Sequence, residues 1–321
     1  MRALITGAGG FVGGHLCAYL LAHTDWDLEG TVYPRPVESQ PEDARLWLRH
    51  ADLRDPQLVH ALMDEVQPDY VFHLAAQSFV PASFADPWDT LENNIRGQLN
   101  LLEALRQSGG ETRMLVIGSN EEYGAPEPGD LPQTEACALR PNNPYAVSKV
   151  AQDVLGLQYF LAYGVLVIRV RPFNHTGPGQ SPRFVVPAFA EQVARIEAGL
   201  QEPVMRVGNL EAARDFTDVR DIVRGYHLAL TQGEPGEVYN LASGRAQSVR
   251  GLLEALLSLS DATIRIEIDP ERYRPVDVPE VYGSAAKFSA QTGWEPEIMF
   301  EQTLRDTLDY WRAQVAAGDE A

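Results

Sequence analysis

The chain is predicted to be an α/β protein, a doubly wound parallel sheet followed by a smaller α+β C-terminal lobe. Three observations predict it. Through the first 170 residues short β-rich apolar runs alternate with amphipathic stretches of helical length, and strands separated by helices need crossover connections, which build a parallel sheet covered on both faces. A glycine-rich turn, Gly7 to Gly13, joins the first apolar run to the first amphipathic stretch. From Arg171 onward the alternation gives way to Pro and Gly clusters, as in RPFNHTGPGQSP.

In chain order, strands are expected at 3–6, 28–33, 70–74, 114–117 and 166–170, with a further strand-like segment ending in His50-Ala51-Asp52-Leu53. The amphipathic stretches between them lie around 11–23, 55–66, 90–108 and 145–163. Shorter helices follow near 184–197, 219–231, 248–259 and 300–313. No long linker, internal repeat or low-complexity segment separates the halves. Residues 1–170 are therefore assigned to one unit, which also receives segments from about 215–240, and residues 171–321 mainly to a second lobe packed against it.

Composition narrows the function classes. Hydrophobic residues at 45% and charged residues at 22% are ordinary globular usage, which excludes disordered and fibrous architectures. Subtracting 45 acidic from 26 basic side chains leaves a net charge of −19, which repels phosphate backbones and anionic lipid. With no Lys/Arg run to counter it, neither nucleic acid nor a membrane surface is an expected partner. No apolar stretch approaches the roughly 18 residues a bilayer span needs. The opening MRALITGAGG lacks the basic and unbroken apolar regions of a secretory signal, so the cytoplasm is the expected compartment. Cys17 and Cys137 are too few and too far apart for a disulfide framework or a zinc site; no metal is expected.

The glycine turn points to a dinucleotide. Gly7, Gly10 and Gly13, with Phe11 and Val12 between them, stand between a strand and a helix. Glycine there permits a tight turn, close backbone approach to a pyrophosphate and close packing of helix on strand, with the helix N-terminus facing the anion. The spacing is G-x-x-G-x-x-G rather than G-x-G-x-x-G. Residues 1–170 thus become a dinucleotide-binding unit. At the end of the second strand, GTVYPR, no carboxylate is available to hold a ribose 2′-hydroxyl, and Arg35 can pair with a 2′-phosphate instead. NADP(H) is preferred and NAD(H) tolerated. Asp52, beside Leu53, can accept from an adenine amino group, and Leu74, Ala75 and Ala76 leave room at the sheet edge. His73 reads as a packed core histidine.

The strand at 114–117 runs into the polar turn Gly118-Ser119-Asn120-Glu121-Glu122-Tyr123-Gly124, at the sheet edge where α/β proteins bind ligands. Further on, Asn143 is a plausible N-cap, Pro144 the first helical residue, and Tyr145 and Lys149 share a face at spacing i, i+4. A neighbouring ammonium and a cationic nicotinamide are expected to lower the Tyr145 phenol, letting it exchange a proton with a hydroxyl or carbonyl while Ser119 donates a second hydrogen bond. Lys149 can also hold a cofactor ribose. Glu122 reads as a turn residue.

The motif order TGAGGFVG, HLAAQ, SNEEYG and YAVSK resembles the extended short-chain dehydrogenase/reductases of nucleotide-sugar metabolism over essentially the whole chain. That resemblance implies a cofactor- and helix-supporting role for Asn94, an asparagine at the sugar diphosphate (Asn174), and a histidine near the nicotinamide (His175). The run from Val207 to Asp221 resembles the GDP-sugar subgroup, which implies nucleotide-side roles for Asn209, Arg214 and Arg274. Within the subgroup, NHTGPGQ and RDFTDV resemble members that reduce the C4 ketone of GDP-4-keto-6-deoxy-D-mannose to GDP-D-rhamnose. Glu121 stands where the subgroup's 4,6-dehydratases carry the base that removes the C5 proton, so GDP-mannose dehydration stays open, with Asn120 deciding little. A non-catalytic NADP-binding protein is the remaining alternative. Homodimerisation through the helices near 90–108 and 145–163 is a further implication.

Overall fold

The structure is a computed structural model and describes residues 1–34, 37, 40–270 and 278–318. Strand β1 (Arg2–Thr6) leads through the glycine turn into α1 (Phe11–His23), followed by β2 (Asp27–Val32) and β3 (Leu46–His50). Asp55 caps α2 (Pro56–Val66) by accepting from the Gln57 and Leu58 amides, with Pro56 at the first helical position. Then come β4 (Tyr70–His73), the short α3 (Val80–Ala85) and α4 (Pro87–Leu91), α5 (Gly97–Ser108), β5 (Arg113–Ile117), α6 (Pro144–Tyr163) and β6 (Leu166–Pro172). The second half contributes β7 (Asn174–Thr176), α7 (Val185–Glu197), β8 (Val204–Val207), β9 (Ala213–Asp218), α8 (Val219–Gln232), β10 (Val238–Leu241) and β11 (Ala246–Ser248). It ends with α9 (Val249–Leu257), β12 (Arg265–Ile268), β13 (Glu280–Val281), α10 (Ala286–Thr292) and α11 (Phe300–Ala317).

Seven strands form one parallel sheet in the order β10-β6-β5-β4-β1-β2-β3. The order reverses at β1, so a crevice opens between the C-terminal ends of β1 and β4. Helices α1 and α8 cover one face, with Leu16, Leu20, Ile222 and Tyr226 buried against Ile5, Phe72 and Leu115. Helices α2, α5 and α6 cover the other, with Leu62, Leu101 and Tyr159 against Leu4, Val71 and Val116. The remaining strands build a small mixed sheet, β11-β9-β13 with β7 on β9, and a separate β12-β8 pair. A third core, including Phe189, Met205, Leu253, Leu308 and Trp311, holds this lobe together.

The helix expected at 90–108 differs from a single regular element. It begins at Pro87 and passes through a π turn at Glu92–Arg96 before α5. The wider turn carries the buried Asn94, whose side chain is drawn off to Gln77 and Ser148, and π turns recur where a helix serves a site. The residue range 219–241 returns to the large sheet, α8 packing on α1 and β10 pairing with β6.

Candidate active site

The glycine turn has the form a pyrophosphate needs. Gly7 has a φ of +72° and lies against the backbone of Ala75, and a Cβ at Gly13 would come within 2.2 Å of the Gly7 carbonyl oxygen. Only glycine allows that approach. Gly10 caps α1 without a side-chain hydrogen bond, so the first amides of the helix, on Phe11, Val12 and Gly13, are left for an anion. The turn is fixed from both sides, Gly7 N donating to Thr31 Oγ1 at 3.3 Å and Ala75 N donating to Thr6 Oγ1 at 3.1 Å. Leu74 N donates to Thr6 O at 3.3 Å, and with Ala76 it carries the chain along the crevice. These residues fit a dinucleotide.

At the outer end, Asp52 is gripped by Arg54, whose Nη2 is 2.7 Å from Asp52 Oδ2 and holds the carboxyl below its ordinary range. The same guanidinium lies 5.5 Å from the centroid of the Tyr33 ring. Next to Asp52, the Leu53 carbonyl accepts from Asn100 Nδ2 at 2.8 Å. Arg35 lies outside the described residues.

Ser119, Tyr145 and Lys149 converge at the end of β5. Ser119 is buried and caps the turn of 120–123, its Oγ accepting from Glu121 N at 3.2 Å. Asn143 caps α6 by accepting from Ala146 N at 2.8 Å, which sets Tyr145 in the first turn of the helix, where the Ser119 side chain acts on its phenol. Lys149 Nζ lies 5.9 Å from the Tyr145 ring centroid and donates to Ile117 O at 2.9 Å.

The electrostatics correct one expectation. Burial pushes the Tyr145 phenol up from its ordinary value, with the Ser119 hydrogen bond opposing and the Glu121 and Glu122 charges adding to the rise. The ammonium expected to acidify it is itself desolvated, and burial takes Lys149 down to about 8. Desolvation dominates at this phenol and favours its protonated form. Glu122, read as a turn residue, instead points inward, fully buried, with Oε1 accepting from Ser119 N at 2.8 Å. His73 is buried as expected, Nδ1 against Thr6 Oγ1 at 2.9 Å.

A cavity of about 530 Å³ opens beside this centre, between the lobes. Asn120, Glu121, Asn174, Asn209 and Arg214 all line it, so of the described members of the sequence-derived substrate set all but Ser119 stand in its wall. Ser119, Tyr145 and Lys149 are not in its wall; they sit next to the lining residues Asn120, Glu121 and Asn143. Arg274 lies outside the described residues. His175, on β7, is turned to the Phe173 carbonyl, Nδ1 to O at 3.0 Å. The sequence reading missed Asn143 as a partner of Glu121 (Nδ2 to Oε2, 2.9 Å), and it missed Arg183 and Arg206 in the cavity wall. Two isolated arginines carry no periodic signal. Asn143 was visible only as a cap.

Fold, glycine turn and Ser-Tyr-Lys centre together define a nucleotide-sugar enzyme of the extended short-chain dehydrogenase/reductase type. The chain belongs to the family described as GDP-mannose 4,6 dehydratase, whose model matches residues 4–307. Among its relatives, the GDP-6-deoxy-D-mannose reductase of Pseudomonas aeruginosa is 42% identical over 315 residues, covering 98% of both chains. GDP-mannose 4,6 dehydratase 2 of Arabidopsis thaliana is 31% identical, covering 96% of this chain and 86% of that one. The solved structure of RMD from Pseudomonas aeruginosa complexed with NADPH superposes with a TM-score of 0.86 at 41% identity, covering 98% of this chain and 99% of that one.

Proposed function

We propose that the protein reduces the C4 ketone of GDP-4-keto-6-deoxy-D-mannose to GDP-D-rhamnose with NADPH. The observation that carries this reading is the likeness at 42% identity over 98% of both chains to a GDP-6-deoxy-D-mannose reductase, together with a Ser-Tyr-Lys centre beside an inter-lobe cavity. NADPH is favoured by the related structure that holds it and by the lack of a carboxylate in the sequence closing β2; NADH is the alternative donor.

Bound NADPH supplies the hydride. The open amides of α1 hold the pyrophosphate, and Asp52, Leu53 and Ala75 flank the adenosine side. Lys149 holds the ribose, while Asn94, tied to Gln77 and Ser148, steadies the helix that presents it. Arg214, Asn174 and Asn209 receive the sugar nucleotide, the guanidinium pairing with diphosphate oxygens. Ser119 and Tyr145 donate hydrogen bonds to the C4 oxygen, and Tyr145 releases its proton as negative charge develops there. A phenol kept protonated by burial is loaded for this direction. Glu121 supports a second reading, dehydration of GDP-mannose, because a carboxylate in the cavity wall can remove a C5 proton.

One assay separates the readings. With the keto sugar and NADPH, stoichiometric NADPH oxidation is expected; accumulation of keto sugar from GDP-mannose without net NADPH consumption overturns the assignment in favour of the dehydratase. No turnover of either substrate leaves a non-catalytic NADP-binding protein.

The same reading includes a homodimer and a cytoplasmic site of action. Val147, Val154 and Leu161 are 43%, 50% and 71% exposed along one stripe of α6, a seven-residue spacing suited to helix pairing. No helix among the described residues is long and apolar enough to cross a membrane.

A further inference from the structure

Beneath the Ser-Tyr-Lys centre lies a buried cluster of charge that the proposed chemistry leaves unused. Glu122 and Asp153 are 0% and 1% exposed at their side chains, and Arg171 and Arg169 are 5% and 8%. Arg171 has a single Nε–H, which it donates to Asp153 Oδ2 at 3.0 Å while Glu122 Oε2 lies equally close at 3.0 Å. Glu122 Oε2 is left without a hydrogen bond of its own. Room for this carboxyl is made by Gly118, where a Cβ would stand 2.3 Å from Glu122 Oε1.

Each end of Glu122 faces a reacting group's support. Oε1 accepts from the Ser119 main-chain N–H at 2.8 Å, closing a reciprocal cap on the turn that carries the Ser119 hydroxyl. Lys149 is buried, its ammonium bonded to the neutral Ile117 carbonyl, and among the described residues it has no carboxylate within ion-pair distance. Lys149 Nζ on Ile117 O and Glu122 Oε1 on Ser119 N bracket Gly118, so ammonium and carboxyl are held on the same three-residue stretch of backbone, and the Glu122 charge favours the protonated form of Lys149.

We infer that Glu122 is a positioning residue for this site: from below, one oxygen fixes the Ser119 main chain and the carboxylate stations the negative charge that steadies the Lys149 ammonium. The groups around it are Lys149, Asp153 and Tyr145 from α6, Arg171 from β6 with Arg169 behind Asp153, and Tyr123 from its own turn; Lys149 also faces His73 of β4. Burial and Asp153 push the Glu122 carboxyl upward, and Arg171, the Ser119 amide and Lys149 pull against them. As pH rises and Glu122 ionises, its charge opposes the loss of the Lys149 proton.

The chain's composition permits a direct test, because Lys149 and Lys287 are its only lysines. Lysine labelled with 13C at Cε gives two NMR signals, and Lys287, ion-paired to Glu237 on the surface, is the internal reference. Glu122→Gln keeps an acceptor for Ser119 N–H and removes the charge. In that variant the Lys149 midpoint should fall by about one pH unit or more below wild type while Lys287 is unmoved. An unmoved Lys149 midpoint overturns the inference. If the amide variant does not fold, Glu122→Asp draws the charge back by one methylene and must lower the midpoint by a smaller amount, on the same criterion. The kinetic counterpart rests on the reductase reading: the alkaline limb of kcat should move to lower pH in Glu122→Gln with KM little changed. Wild type inactive toward the keto sugar would sink that reading and leave the NMR result standing.

Discussion

Asn143 ties the start of α6 to Glu121. Its Oδ1 accepts from the Ala146 amide at 2.8 Å, and its Nδ2 donates to Glu121 Oε2 at 2.9 Å. The same side chain thus sets where Tyr145 begins and which way the cavity carboxylate points. Asn143→Asp separates the two tasks. Aspartate caps as well as asparagine, so the melting temperature should stay near wild type. The donor to Glu121 is lost and a second negative charge stands beside it. Removing one charge-assisted hydrogen bond of about 1.5–3 kcal/mol should lower kcat/KM roughly tenfold or more. Unchanged kinetics with the keto sugar would count against any role for the Glu121 orientation.

Tyr145→Phe removes the proton donor and keeps the ring. NADPH binding, read by fluorescence titration, should persist, while kcat falls by about 10²–10⁴. Loss of binding and turnover together would instead mean that the phenol is part of the cofactor's support.

Gly13→Ala is expected to abolish tight NADPH binding. The added Cβ meets the Gly7 carbonyl oxygen at 2.2 Å and Ala8 Cα at 2.8 Å, and these are backbone atoms that cannot swing aside. The turn must open, at about 1–3 kcal/mol of folding stability. A variant with wild-type affinity in the same titration would show that the amides of α1 are not the anion site.

His73 gives a pH dependence with a definite sign. Burial, aided by the Lys149 charge, pushes its imidazole from the ordinary 6.5 down to about 3. Below pH 6.5 the unfolded chain takes up a proton that the folded chain refuses, so stability falls as pH drops from 6.5 toward 3. Over the whole window the effect amounts to roughly 5 kcal/mol. Urea titrations of wild type and His73→Gln should converge as pH falls from 7 to about 5; parallel curves would mean that His73 titrates alike in both states.

Strands β1, β2, β4, β5 and β6 of the large sheet were legible because each is a short apolar run in alternation with helical stretches, whereas β10, four residues long, is a strand through its pairing with β6 and carried no such local signal. The glycine turn and the pair Tyr145 and Lys149 were legible for the same reason, since spacing alone sets their geometry. Other features depended on partners far along the chain. Strand β7 is three residues long and exists through its pairing with β9, some forty residues on. The inward turn of Glu122 depends on Arg171 waiting beneath it. The enclosure that raises the Tyr145 phenol was not legible either, because only the folded structure gives it.

The return of α8 and β10 to the first sheet has a practical consequence for dissecting the molecule. A fragment stopped at residue 172 would bare the hydrogen-bonding edge of β6 that β10 occupies and strip α1 of the helix packed on it. Open strand edges of this kind recruit other chains. The nucleotide-holding half therefore cannot be excised as a cassette by a single cut, and a minimal version would have to graft residues 219–241 back on through a new connection.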